Sequence, residues 1–272
     1  MSAVKQTIKK ILPDATLNGL RESWDAVARL KDQPGATFHP WRRDTIRQLG
    51  EYKDKHRGER CFIIGNGPSL KNTNLTLLKD EITFGMNRIY LAFPDWGFET
   101  RYYLSVNDLV VEQCAQDIQA LKMPRFVSWR SRKWLKSEPG LHFLYTTYTG
   151  PKFAKDIRKR VWESATVTYV ALQVAYFMGF DTVILIGVDH NFETKGAPNT
   201  TIVSQGDDPN HFHPEYFGKG FRWQLPDLEK SEMGYQMARN AYEAAGRKVL
   251  DATVGGKLTI FEKADFNRLF NE

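Results

Sequence analysis

The stretch that most constrains the fold is Cys61-Phe62-Ile63-Ile64-Gly65-Asn66-Gly67-Pro68-Ser69-Leu70. A short apolar run stops at Gly-Asn-Gly-Pro-Ser, which marks a buried strand breaking into a tight loop. An apolar run without alternation fits a strand covered on both faces, as in a parallel sheet. Gly65 and Gly67 have no Cβ, so another group can approach their main chain closely. Asn66 between them presents an amide with both donors and an acceptor. In α/β proteins the loop after the first strand is where nucleotides usually sit. Taken alone, the stretch is also an ordinary strand-to-turn transition, so the rest of the chain has to decide.

From Arg60 onward strand and helix signals alternate. Ile82 to Asn87 reads as a second strand, Tyr102 to Val106 as a third and Arg125 to Trp129 as a fourth. The first three close on Asn66, Asn87 and Asn107. One terminal asparagine is an ordinary turn residue. Three at the same edge of a parallel sheet mark a place where ligands bind. A helix is expected over 164–178, capped near Ser164-Ala165-Thr166 and stopped by Gly179. Val167, Val170, Ala171, Val174 and Met178 recur along one face of it. Its free N–H groups, with the hydroxyls of Thr166 and Thr168, either form an anion site or simply cap the helix. Thr182 to Val188 follows as an apolar strand and delivers Asp189 and His190 to the same edge. Residues 190–226 show little periodicity, and a loop of that length in a compact domain is usually a functional lid. It carries His211, His213 and Tyr216. Helical periodicity returns over 231–246, and Lys248 to Thr253 reads as a last strand. The fold class expected is α/β, a Rossmann-like, mostly parallel sheet flanked by helices. Residues 1–58 would be a helical appendage, with apolar faces built from Ile8, Ile11 and Leu12 and from Trp24, Val27, Ala28 and Leu30. Residues 59–272 would be the nucleotide-binding domain.

A net charge of +6 on 272 residues suggests an anionic ligand or surface, but the charge is too small and too dispersed to argue for nucleic acid. The basic stretches Trp41-Arg42-Arg43 and Lys53 to Arg60 could meet anionic lipid headgroups or an acidic acceptor, although a merely solvated basic face is the commoner case. Cys61 and Cys114 lie outside any metal-ligand spacing and fit a reducing compartment. There is no apolar run near the roughly 20 residues a membrane span needs, and no signal-peptide pattern. The expectation is therefore a cytoplasmic protein, with peripheral contact at the inner face of the membrane and homo-oligomerisation left open.

The loop after the first strand matches neither the P-loop nor the dinucleotide fingerprint, where Leu70 stands at the third glycine position. Asp-x-Asp is absent, which argues against a metal-held sugar diphosphate. A single phosphate can instead be balanced by hydroxyls, helix N–H groups and a side-chain cation. His-x-His at 211–213 has no further ligand at a recognisable metal spacing, so a general base or a phosphate contact is the better functional reading.

Gly65-Asn66-Gly67-Pro68-Ser69-Leu70, Asn87, Asn107 and Gly187-Val188-Asp189 resemble two related families over roughly residues 60–260. One is the bacterial lipooligosaccharide sialyltransferases, which use CMP-activated nonulosonic acids without a metal. The other is the MptE-like family, named for an archaeal 6-hydroxymethylpterin diphosphokinase and shading into flagellin glycosylation factors. The resemblance implies that Gly65, Asn66, Gly67, Ser69, Asn87 and Asn107 hold CMP. It places the donor-binding segment at Thr166-Val167-Thr168, with Asp189 beside it and Tyr216 near the phosphate. His211 or His213 would be the catalytic base. The function implied is a metal-independent glycosyltransferase passing a sugar from a CMP-activated donor to a cell-surface glycan, with no resident cofactor. One alternative is diphosphate transfer from ATP to a pterin-like alcohol, with Mg²⁺ held by Asp108, Asp189 or Asp207 and Asp208. Another is a non-catalytic nucleotide-binding scaffold.

Overall fold

The computed structural model describes residues 32–148, 150–194 and 196–270, together with Ser23, Val27 and Leu30. The apolar faces expected around Ile8–Leu12 and Trp24–Ala28 otherwise lie outside the described residues; Val27 and Leu30 are exposed.

Eleven strands are described: β1 (Arg60–Ile64), β2 (Thr83–Met86), β3 (Tyr102–Ser105), β4 (Arg125–Ser128), β5 (Leu141–Thr147), β6 (Arg160–Trp162), β7 (Thr182–Ile186), β8 (Thr201–Val203), β9 (Arg222–Gln224), β10 (Lys248–Asp251) and β11 (Glu262–Lys263). Nine of them form one sheet in the order β11-β10-β7-β1-β2-β3-β4-β5-β6. Every pairing in it is parallel. From β1 the chain steps outward through β6, then returns to place β7 on the other side of β1. The strand order therefore reverses between β1 and β7, and parallel α/β sheets open their ligand crevice at such a point.

Both faces of the sheet are covered, as an unalternating apolar strand requires. Cys61 and Ile63 pack into one core layer and Phe62 and Ile64 into the other. Val183 and Leu185 against Ile184 and Ile186 repeat the division on β7. The helices used below are α1 (Pro40–Leu49), α2 (Asp108–Gln113), α3 (Val167–Met178) and α4 (Leu228–Glu243). Ten of the twelve residues of α3 are buried, so it is a central helix rather than a surface one. Its cap is Thr166, and Gly179 stops it at φ 95°, a left-handed angle that suits glycine. Buried Gln173 on α3 receives the N–H groups of Ala154 and Trp162 and donates to the carbonyls of Trp162 and Tyr169, which ties β6 to the helix.

Differences from the sequence reading have local causes. β5 and β6 extend the sheet beyond the expected fourth strand, because Leu141–Thr147 mixes His, Tyr and Thr with its apolar residues and β6 is only three residues long. The 190–226 loop is not structureless: β8 and β9 pair antiparallel inside it. The strand expected to be the last, β10, is followed by a further two-residue strand, Glu262–Lys263. Within the basic stretch at 41–43, Arg42 is buried and its Nη2 donates to the Arg158 carbonyl at 2.7 Å, whereas Arg43 is exposed. Trp41 stacks on Phe143 of β5 at 5.9 Å, so α1 is seated against the sheet. Both cysteines are free and buried, and burial pushes the Cys61 thiol well above its usual range.

Candidate functional site

The crevice at the β1/β7 reversal is a cleft of about 230 Å³. Its floor exists because two glycine loops interlock. The Gly65 N–H donates to the Ile186 carbonyl at 2.7 Å and the Gly67 N–H to the Gly187 carbonyl at 2.9 Å. A Cβ on Gly65 would lie 2.2 Å from the Gly187 oxygen, and one on Gly67 would lie 1.8 Å from Asp189 Oδ2. The glycines are thus required first for packing of loop on loop, and through that for the shape of the cleft.

The three strand-end asparagines all line this cleft, as the sequence predicts. Their hydrogen bonds differ. Asn107 caps α2, its Oδ1 accepting the N–H groups of Leu109 (3.0 Å) and Val110 (3.3 Å), which leaves its amide donors for a ligand. Asn87 sits at φ 52°, its Oδ1 accepting the Ser105 hydroxyl at 3.0 Å. Asn66 Oδ1 is buried with no protein partner, so it is an acceptor that a ligand donor would satisfy.

Thr166 and Thr168 also line the cleft, at the start of α3. The Thr166 hydroxyl accepts the Thr168 N–H at 3.2 Å and lies 3.4 Å from the Tyr235 hydroxyl. It therefore both caps the helix and faces the cleft. Ser164 and Ala165, immediately before it, take φ values of 40° and 60°. Consecutive left-handed angles at residues with a Cβ cost on the order of 1–3 kcal/mol each and persist only where the surroundings enforce them. Here the Ser164 hydroxyl donates to the Lys230 carbonyl at 2.7 Å, anchoring the turn to α4. Nothing in the sequence marks this strain, because neither residue is glycine or asparagine.

Asp189 lies on the floor. Burial raises its pKa above the ordinary carboxylate value, while hydrogen bonds from Ser69 oppose the shift. Ser69 itself is not on the cleft surface: its N–H (3.1 Å) and hydroxyl (2.7 Å) both donate to Asp189. Ser69 thus supports Asp189 from behind the cleft surface.

The lid separates the two histidines. His211 lines the cleft, stacked on Tyr216 at 4.1 Å, and its Nδ1 lies 2.7 Å from Asp208 Oδ2. The Asp208 side chain is 2% exposed and also accepts the N–H groups of Asn210 and Phe217. With Nδ1 held, Nε2 is the nitrogen left for a reacting group. His213 lies off the cleft, where its Nδ1 accepts the Glu215 N–H in a turn. The sequence presents Asp208 only as a metal-ligand candidate, although its spacing of three from His211 is a signal for the pair. Tyr216 lines the cleft as expected, and burial raises its pKa above the usual phenol value. The lid is pinned to the body by the Phe212 N–H on the Asn66 carbonyl at 2.9 Å. Arg88 adds bonds to the Glu215 and Tyr216 carbonyls, and Gln113 pairs with both the N–H and the carbonyl of Arg222.

An ion cluster around buried Arg130 and Glu163, which the sequence did not reveal, borders the cleft. Arg130 reaches Asp108 at 3.0 Å and Glu163 at 2.9 Å and lies over the Tyr148 ring. Burial disfavours its charge, but Glu163, Tyr148 and Asp108 outweigh that and raise its pKa further. Glu163 and Tyr148 line the cleft. Among the described residues no three His, Cys, Asp or Glu side chains converge on a metal position. No described helix is long and apolar enough to cross a membrane.

A family model described as 6-hydroxymethylpterin diphosphokinase MptE-like matches residues 42–195, more than half of the chain. The chain belongs to the MptE-like family. The matched segment of this MptE-like protein carries the three asparagines, both glycine loops, the start of α3 and Asp189; the lid histidine lies beyond it. Among solved structures, the MAf glycosyltransferase from Magnetospirillum magneticum AMB-1 is similar at a TM-score of 0.48 and 11% identity, over 83% of this chain. The match covers 38% of that structure's own chain, so the protein spans under half of that neighbour's length. No curated protein matches.

Proposed function

We propose that this MptE-like protein is a transferase that moves a sugar from a CMP-activated donor of the nonulosonic-acid type to a hydroxyl of a glycan or glycoconjugate acceptor. The observation that carries the reading is the Asp208–His211 pair, whose remaining ring nitrogen is available to a cleft of asparagines and hydroxyls. Asn66, Asn87 and Asn107 would hold the nucleoside. The start of α3, with Thr166 and Thr168, would face the phosphate. The acceptor hydroxyl would give its proton to His211 Nε2, and its oxygen would attack the anomeric carbon. The bond from that carbon to the phosphate oxygen would break, with its electron pair leaving on CMP. Asp208 would fix the tautomer and stabilise the imidazolium as it forms, the general role of a carboxylate behind a catalytic histidine.

The family description favours a second reading, diphosphate transfer from ATP to a pterin-like alcohol. That chemistry needs Mg²⁺ on the phosphates. The acids available for it are engaged apart from one another: Asp108 with Arg130, Asp189 with Ser69 and Asp208 with His211, while Asp207 is exposed. This donor set does not fit a magnesium site, which is why glycosyl transfer is preferred.

Calorimetric titration of CMP and ATP, each with and without magnesium, separates the two. The expected result is CMP binding indifferent to magnesium and weakened by Asn66→Ala. Magnesium-dependent ATP binding without affinity for CMP would overturn the proposal in favour of diphosphate transfer. CMP binding without turnover of any CMP-sugar would favour a scaffold.

A further inference from the structure

Charge balance in the cleft leaves one demand unmet. A nucleoside monophosphate ester brings a negative phosphate, yet no lysine or arginine lines the cleft among the described residues, while Glu163, Asp189 and Asp227 do. The start of α3 offers less than a bare helix end would, since the Thr168 N–H is taken by its own cap. Among the described residues, the side chains on the cleft surface able to carry positive charge are His190 and His211. His211 is placed on the lid wall with Tyr216.

His190 also lines the cleft, directly after the β7 loop, at φ 54°. Its Nε2 lies 2.8 Å from Glu232 Oε1, and its ring meets Tyr235 at 6.3 Å. Tyr235 in turn reaches Thr166, so the imidazole, the phenol and the cap of α3 form one continuous surface. The His190 side chain is 8% exposed. Its Nδ1 makes no hydrogen bond with the described residues. We propose that His190, oriented by Glu232, is the cationic contact for the donor's phosphate beside the start of α3. With a carboxylate on one ring nitrogen and a phosphate oxygen on the other, both nitrogens must donate, and only the imidazolium can do that. The assignment rests on reading the cleft as a nucleoside monophosphate site. A different role for the same pair is a tether between the β7 loop and α4.

The test is a comparison of CMP with cytidine, which differ by the phosphate alone. Both are titrated calorimetrically into the wild type and into His190→Asn, Glu232→Gln and His211→Gln. Asparagine is chosen at 190 because it tolerates a left-handed backbone. A charge-assisted hydrogen bond to phosphate predicts that His190→Asn weakens CMP about 10- to 100-fold while cytidine moves by no more than about twofold. Glu232→Gln should give a smaller loss with the same selectivity, and His211→Gln should leave the CMP-to-cytidine ratio unchanged. Equal losses of both ligands in His190→Asn would show a tether and overturn the assignment, as would unchanged CMP affinity. A wild type that binds neither ligand refutes the nucleotide reading itself, and the role of His190 falls with it.

Discussion

Replacing Gly65 by alanine tests whether the close approach of the β1 and β7 loops holds the site together. The added Cβ would sit 2.2 Å from the Gly187 oxygen and 2.6 Å from the Gly187 carbon, both main-chain atoms that no side-chain rotation can move. Gly65 is outside the left-handed region, so the effect is steric and not conformational. Reaching the shortest separation seen for real Cβ atoms, 3.0 Å, requires the Gly187 peptide to retreat by about 0.8 Å. That peptide accepts the Gly67 N–H, and its neighbour Ile186 accepts the Gly65 N–H. Overpacking typically costs 1–3 kcal/mol and each weakened hydrogen bond about 1 kcal/mol, so a loss of about 3 kcal/mol is expected. Guanidinium denaturation of the full chain reads it as a lower midpoint, and calorimetry should show CMP binding weakened in parallel. Gly50→Ala supplies the control. Gly50 lies at φ −58° with nothing within 4 Å of its would-be Cβ, so alanine there should be neutral or stabilise by about 0.5–1 kcal/mol. An unchanged midpoint and unchanged CMP affinity in Gly65→Ala would refute the interlocked-loop account of the cleft.

Three further outcomes follow from buried polar groups. Asp208→Asn keeps the shape of the dyad but removes the charge behind His211; kcat for sugar transfer should fall about 10²-fold or more with CMP affinity nearly unchanged, and equal kcat would remove His211 from the mechanism. His142 is 2% exposed, and burial, helped by Arg125, lowers its pKa to about 4. An unfolded histidine titrates near 6.5, so the unfolded chain takes up this proton first; stability is lost as pH falls from about 6.5 through 4, by up to about 3 kcal/mol. His142→Leu should flatten that part of the stability profile, and a variant as acid-sensitive as the wild type would contradict the assignment. Arg42 is 1% exposed with Nε and Nη1 unpartnered, and burial lowers its pKa to about 10. Arg42→Met should therefore leave stability unchanged or raise it by about 1 kcal/mol in thermal denaturation, because a desolvated charge without a carboxylate is replaced by apolar volume.

The sheet and half of the site were legible because they depend on short-range pattern. Cys61–Ile64 and Thr182–Ile186 declare buried strands by composition, and a parallel sheet brings all its carboxyl ends to one edge, so Asn66, Asn87, Asn107 and Asp189 had to meet if the strands were right. What was not legible is set by contacts between segments far apart in the chain. Nothing near Ser69 indicates that its hydroxyl turns away from a ligand to hold Asp189, 120 residues later. Nothing near Arg130 announces Glu163. The choice between His211 and His213 could not be made from spacing, since two residues apart on an irregular loop can point anywhere; of the two, His211 is the one that lines the cleft, beside the buried carboxylate of Asp208 and stacked on Tyr216. The same argument bears on specificity. The cleft's asparagines come from strand ends fixed by the sheet, whereas His190, Glu232, His211 and Asp208 come from the β7 loop, α4 and the lid. If the strand ends hold the nucleoside as proposed, a site whose imidazoles come from other segments can keep its nucleotide while changing what is transferred and to what. Exchange of residues 191–226, which leaves His190 in place, between MptE-like proteins should therefore alter acceptor use before it alters CMP affinity, and a swap that abolished CMP binding while leaving the fold intact would show that the rest of the lid reads the nucleotide too.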